Sequence, residues 1–327
     1  MSETEKIQDA AENTAAARDD VPARVVFTEE MRRDYTILIP TMLPRHFKII
    51  SRVFNRCGYK TEALEIGLHG DDRTVIETGL KYVHNDACYP AILVIGQFIA
   101  ALNSGKYDPH KTALMLTQTG GGCRASNYIS LLRKALHRAG YDYVPVVSLN
   151  FSGLEQMPGF RITLSMVHRL MYAVLYGDLI LLLVNQCRPY ETHKGDAEAL
   201  ADKWSRRLAD EMTSGSIRRR RVRENYRAMI EEFAAIDGVE RRASGTAVRV
   251  GIVGEIFVKF SALGNNRLED FLISEGAEPV MGGLLDFCLY VTTNAVTDYE
   301  LYGMNRGASR LYGMAGSYFL RREDELI

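Results

Sequence analysis

The sequence predicts an α/β layer fold built on a parallel sheet. Two observations lead there. Short, β-rich apolar runs alternate with helical stretches as far as Leu149, and a strand–helix–strand crossover implies parallel strands. The 327 residues are 46% hydrophobic and 25% charged, the balance of a globular chain with a sizeable core in one large or two smaller domains.

The elements follow in order. Residues 1–24 are rich in Ala, Glu, Asp and Thr without apolar periodicity, so a disordered tail is expected. Tyr35-Thr-Ile-Leu-Ile39 is a short buried strand closed by Pro40. Residues 45–57 carry Phe47, Ile49, Ile50, Val53 and Phe54 at helical spacing, and Gly58 fits the helix end. A second strand is predicted from Thr61 to Ile66 and a helix from Arg73 to Tyr82. The apolar stretch Tyr89 to Leu102 is too long for a strand, and Pro90 sits where a first helical turn tolerates proline. It therefore reads as a buried helix. Thr112 to Thr117 is a third strand, Gly120 to Gly122 a sharp loop, Cys123 to Ala139 an amphipathic helix and Val144 to Leu149 a fourth strand. These form an α/β lobe over residues 25–160.

Residues 161–245 read as a mainly helical segment, although periodicity does not decide whether Leu179 to Val184 is helix or strand. The basic run Ser216 to Arg223 suits phosphate, but a solvated helix face paired with Glu224, Glu231 and Glu232 is the favoured reading. Residues 246–327 begin a second α/β lobe: strand Val248 to Val253, helix Asn266 to Glu275, strand Ala277 to Met281, then helical or irregular sequence. Two strands are fewer than most sheets contain. Either they join the first sheet or the lobe is incomplete.

Charge and composition narrow the function. Lys plus Arg is 40 and Asp plus Glu is 41, a net charge of −1, so no global grip on nucleic acid is expected. No uninterrupted apolar run reaches the ~18 residues of a membrane span. The acidic, polar start lacks the apolar core of a signal peptide. A cytoplasmic protein without a membrane segment is expected. Its five cysteines, Cys57, Cys88, Cys123, Cys187 and Cys288, should then be reduced thiols.

Two of these thiols stand out. Cys88, in Tyr82-Val-His-Asn-Asp-Ala-Cys-Tyr-Pro-Ala91, precedes a predicted helix. Cys123, in Thr117-Gln-Thr-Gly-Gly-Gly-Cys-Arg-Ala-Ser-Asn-Tyr128, lies between a strand and a helix. A helix start offers free N–H groups and the positive dipole end, which favour the thiolate. Arg124 adds positive charge, and the glycines let backbone approach a bulky anionic group. The C-terminal edge of a parallel sheet is the usual ligand side, and Cys123 falls on it. Two thiolates brought together there suit iron–sulfur or another soft metal. The competing reading is that each is a small buried hydrophobe, since a spacing of 35 residues is no local metal signature. Cys57 and Cys288 read as core positions, and Cys187 has polar neighbours. The glycine loop lacks the Lys-Ser/Thr of a P-loop, and no zinc-hydrolase spacing or nucleophile elbow is present. His84, Asn85 and Asp86 suit acid–base chemistry or, more simply, capping of the following helix. Gly251-Ile-Val-Gly-Glu255 is either a tight turn with a capping Glu or a ligand-facing loop.

The segments Phe27-Thr-Glu-Glu-Met31, Gly79 to Ala91 and Thr117 to Tyr128 resemble the 2-hydroxyacyl-CoA dehydratase superfamily. So do Asn150, Gly153-Leu-Glu155, Pro158-Gly-Phe160, Arg188-Pro-Tyr-Glu191 and Gly251 to Ile256. More narrowly they are similar to the dehydratase-like region near the C-terminus of large acyl-CoA dehydratase activase-related proteins. The resemblance covers roughly residues 27–295. It implies Rossmann-like lobes and a [4Fe-4S] cluster held in part by Cys88 and Cys123. It also implies an actin-like-fold ATPase activator as partner, which supplies one electron for the dehydration of a 2-hydroxyacyl-CoA thioester. The ATPase module and the further cysteine motif of the long relatives have no counterpart in this sequence.

The expected function is thus an iron–sulfur protein in ATP-driven, low-potential electron transfer to an acyl-CoA-type substrate. A non-catalytic subunit docking to a larger activase, and a Cys123 thiolate enzyme, are the alternatives. The resemblance asks for three cluster cysteines. Cys187 is the best internal third, while a site closed by another chain, or by water or hydroxide, is the preferred expectation.

Overall fold

A computed structural model describes residues 24–66, 72–84, 86–117, 123–149 and 157–324. All but the last residue of the expected tail, the loop Gly120 to Gly122, Asn85, Asn150 and Gly153 to Glu155 lie outside them. The fold is α/β. Four strands, β1 (Thr36–Ile39), β2 (Lys60–Ala63), β3 (Thr112–Thr117) and β4 (Val146–Leu149), form a parallel sheet in the order β2-β1-β3-β4. Thr36 lies opposite Thr112, and Leu114 opposite Val146. Ile37, Leu38, Ala113, Leu114, Met115 and Val147 are fully buried, as expected of parallel strands covered on both faces.

The chain divides into two compact units, one of Met1–Pro40 with Leu64–Arg161 and one of Thr41–Ala63 with Ile162–Ile327. In the first, a short helix α1 (Met31–Asp34) precedes β1. Helices α3 (Asp72–Tyr82) and α4 (Tyr89–Asn103) follow, and α5 (Tyr128–Arg138) joins β3 to β4. Every residue of α4 from Pro90 to Leu102 is buried, which explains an apolar run without amphipathic period. Helices α3 and α4 touch backbone to backbone. A Cβ on Gly79 would run into the Ile92 carbonyl, and one on Gly96 into that of Val75. Glycine at both positions lets the two helices close and so fixes the turn between them, which carries Cys88. Gly159 likewise packs on the Thr28 carbonyl and donates its N–H to Phe27 at 3.0 Å, so two of the motif segments abut.

The second unit holds α2 (Pro44–Arg56), α6 (Leu164–Cys187), α7 (Asp196–Thr213) and α8 (Arg219–Ala234). Leu179 to Val184 is helix, inside α6. That helix is long and apolar enough by composition to cross a membrane, and within this unit it packs against α2, α7 and α8. Next come β5 (Val248–Gly251), α9 (Ile256–Phe260), α10 (Ala262–Asn265), α11 (Leu268–Ser274), β6 (Ala277–Val280), α12 (Leu284–Tyr302) and α13 (Arg306–Asp324). Strands β5 and β6 do not join the first sheet but form a separate parallel pair, Val248 opposite Ala277.

One element is not the helix expected. Cys123 to Ala139 is broken into a 3₁₀ turn, Arg124–Asn127, followed by α5. Ser126 and Asn127 are poor helix formers, and the Ser126 hydroxyl bonds the Cys123 carbonyl at 2.7 Å, competing with the α-helical pattern.

Candidate functional site

Cys88 and Cys123 both lie in the first unit, each as the cap residue of a helical segment. Cys88 is the N-cap of α4, with extended backbone, and its carbonyl accepts from Ala91 at 3.0 Å and Ile92 at 3.3 Å. Its side chain makes no capping bond, which leaves the sulfur free for another partner. That partner is the Tyr128 hydroxyl, 2.9 Å away. Tyr128 begins α5, five residues beyond Cys123. The hydrogen bond therefore ties the turn before α4 to the segment that Cys123 opens. Cys123 is exposed, caps the 3₁₀ turn after β3, and its Sγ accepts the Ala125 N–H at 3.5 Å. A single 3₁₀ turn lacks the dipole of a full helix, so that amide is its local source of positive potential.

The other thiols sit differently. Cys57 is the C-cap of α2, the negative end of the helix. Cys187, expected in a polar setting, is 3% exposed and donates to the Phe233 carbonyl at 3.7 Å. Burial pushes its thiol up to about 12. Its polar neighbours in sequence find their own partners instead: buried Asn185 donates to Glu269 at 3.0 Å and Arg188 donates to Asp270 at 2.7 Å, while Cys187 faces the core from the last turn of α6. Burial also raises Cys288, to about 11.

Other motif residues have structural partners. In Arg188-Pro-Tyr-Glu191, Tyr190 donates to the buried carboxylate of Glu278 at 2.8 Å, and Glu191 accepts from Gly195 and Ala197 at the start of α7. Glu255 caps α9, accepting from Val258 at 3.0 Å. In the basic run, Arg220 pairs with Glu224 and Arg221 with Glu211 and Glu224. Glu232 instead holds Lys203 and the Trp204 indole N–H. His84 and Asp86 are exposed, and the cap of α4 is Cys88 rather than either of them.

The second unit contains a polar cluster that sequence reasoning missed. His46 is 1% exposed and its Nε2 bonds Asp178 Oδ1 at 2.8 Å. The Asp178 carboxylate also accepts from Leu284 N–H at 2.7 Å and Leu285 N–H at 2.8 Å, the free amides at the start of α12. The imidazole lies flat on Gly177, where a Cβ would strike the ring. Lys259 donates to the Gly282 carbonyl at 3.2 Å, and its amine is lowered by burial against the opposing pull of Asp286 and Asp178. The Asp178 carboxylate thus clamps the buried His46 to the start of α12, a structural role. A lone Asp inside the apolar sequence of α6 was its only sequence signal.

Among the described residues, no three His, Cys, Asp or Glu side chains are grouped to hold a metal ion. Cys88 and Cys123 fit a soft metal group in kind, as thiols at helical starts, Cys88 half-buried and Cys123 exposed, and they supply two donors. The fold and these two caps make this an α/β protein with two thiols at the starts of helical segments. No protein-family model, curated protein or solved structure matches the chain.

Proposed function

We propose that the chain is a cytoplasmic iron–sulfur protein of the 2-hydroxyacyl-CoA dehydratase type, similar to the activase-related branch. In this reading it works with an actin-like-fold ATPase activator in low-potential electron transfer to an acyl-CoA-type substrate. The observation that carries the reading is the contrast among the five thiols. Cys88 and Cys123 cap helical starts, and Cys88 is bonded to Tyr128, five residues beyond Cys123 in the chain. Cys57 sits at a helix end, and burial holds Cys187 and Cys288 as thiols.

Cys88 and Cys123 would hold the cluster, and the start of α4 would offset negative charge beside Cys88. A bound [4Fe-4S] group supplies one-electron transfer. Tyr128 donates its O–H to the Cys88 sulfur when that sulfur is a thiolate, fixing its direction. The exposure of Cys123 leaves that side open to a partner protein. The remaining ligands come from a second chain or from water or hydroxide, since Cys187 is buried in the core of the other unit.

Anaerobic reconstitution with iron and sulfide tests this. The expected result is bound iron and acid-labile sulfide in equal amounts, with visible charge-transfer absorption that bleaches on reduction. Iron without sulfide, or neither, would contradict it. The exposure of Cys123 also supports a second reading, a thiolate nucleophile. Turnover by iron-free protein that is lost on alkylation of Cys123 would favour that one.

A further inference from the structure

Helices α12 and α13 form a hairpin joined at Gly303, which caps α12 in the left-handed conformation. They close through small residues. A Cβ on Gly316 would meet Thr292 Oγ1 at 2.8 Å, and one on Gly313 would meet Val296 at 3.5 Å. Away from that contact the hairpin is unusually apolar. Leu301 is 67% exposed, Tyr302 71%, Leu311 62% and Met314 65%, with Tyr290 and Met304 also mostly exposed. Scattered apolar side chains are ordinary on a surface, but this many on one hairpin mark an interaction face.

The exposed positions are ordered. On α12, Tyr290, Asn294, Asp298 and Leu301 recur at intervals of three and four. On α13, Arg310, Met314, Ser317 and Arg321 do the same and line a shallow cleft. Each set lies on one helix face, where Tyr290 and Leu301 on α12 and Met314 on α13 are the apolar members. The charges are divided between the two. Helix α12 carries Asp286, Asp298 and Glu300 and no Lys or Arg, whereas α13 carries Arg306, Arg310, Arg321 and Arg322 and ends in Glu323 and Asp324, so the first is net acidic and the second net basic. A twofold axis would lay α12 of one copy on α13 of the other, acid against guanidinium and apolar on apolar, twice over. Each helix has 19 residues, about 28 Å of contact length.

We propose that the α12–α13 hairpin is a homodimer interface, where a second copy of this chain pairs to form a four-helix bundle. Sedimentation equilibrium on the full chain tests it. The wild type should be a dimer, and Leu301→Glu/Met314→Glu should be a monomer with unchanged far-ultraviolet circular dichroism. Two charge-reversed variants probe the pairing itself. Asp298→Arg/Glu300→Arg and Arg310→Glu/Arg321→Glu should each weaken self-association, and mixing them should restore a dimer. A wild type that stays monomeric at every concentration overturns the proposal and leaves the face to a different protein. A dimer indifferent to Leu301→Glu/Met314→Glu overturns it as well.

Discussion

The sulfur of Cys88 lies 2.9 Å from the hydroxyl of Tyr128, 40 residues further along the chain. This bond holds the turn before α4 against the start of α5 and gives Cys88 a fixed direction. Replacing Tyr128 by Phe should keep the fold and slow alkylation of Cys88, because the donated O–H that favours the reactive thiolate is gone, with the rate at Cys123 unchanged. In the wild type Cys123 should react first and Cys187 last, because the thiolate is the reactive form and burial holds Cys187 protonated. Peptide-resolved mass spectrometry after timed iodoacetamide exposure measures all five. Equal rates at Cys123 and Cys187 would contradict the placement of both.

The α3–α4 contact is set by backbone. Gly79→Ala and Gly96→Ala should each destabilise by about 1–3 kcal/mol, since the new methyl meets a carbonyl that cannot turn aside. Gly215→Ala, where a Cβ meets nothing within 4 Å, is the control and should be near neutral. Denaturant midpoints would show it, and an unchanged midpoint for Gly79→Ala would mean the helices do not meet there.

Asp178→Ala should be the most damaging single change in the second unit. It strands the buried His46 Nε2 and two α12 amides, and each buried polar group left unsatisfied costs about 1–3 kcal/mol. Asp178→Asn keeps an acceptor oxygen and should cost less. Urea unfolding of the two variants gives the order, and equal losses would argue against the shared carboxylate.

Glu278 predicts a pH dependence. Burial alone would raise its carboxyl, but hydrogen bonds from Arg242 and Tyr190 and the charge of Arg249 outweigh this and hold it below the usual range. A lowered folded-state value contributes stability that is fully present above the unfolded carboxylate value of about 4.3 and lost as the pH falls through the folded value. The stability gap between wild type and Glu278→Gln should therefore be wide at neutral pH and narrow in acid. A gap independent of pH would contradict the pairing.

Local order was legible in the sequence. The strands read from Tyr35 to Ile39 and from Thr112 to Thr117 fall on β1 and β3, and the apolar stretch from Tyr89 to Leu102 read as a helix because of its length and Pro90. The 3₁₀ turn after Cys123 was not legible, because Arg-Ala-Ser-Asn fits either helix type. Pairings across the chain were hidden for a different reason. His46 and Asp178 are 132 residues apart, and nothing local to either announces the other. Tyr190 and Glu191, in a segment that carries the resemblance, are likewise committed to distant partners: Tyr190 to Glu278 and Glu191 to the start of α7.

The central claim is that Cys88 and Cys123 are the metal-holding thiols. The most direct measurement is iron per chain after anaerobic reconstitution of four variants, each Cys→Ala at 57, 88, 123 or 288. Loss of iron in Cys88→Ala and Cys123→Ala, with retention in Cys57→Ala and Cys288→Ala, is the predicted result. Iron retained at the wild-type level in Cys123→Ala would contradict it.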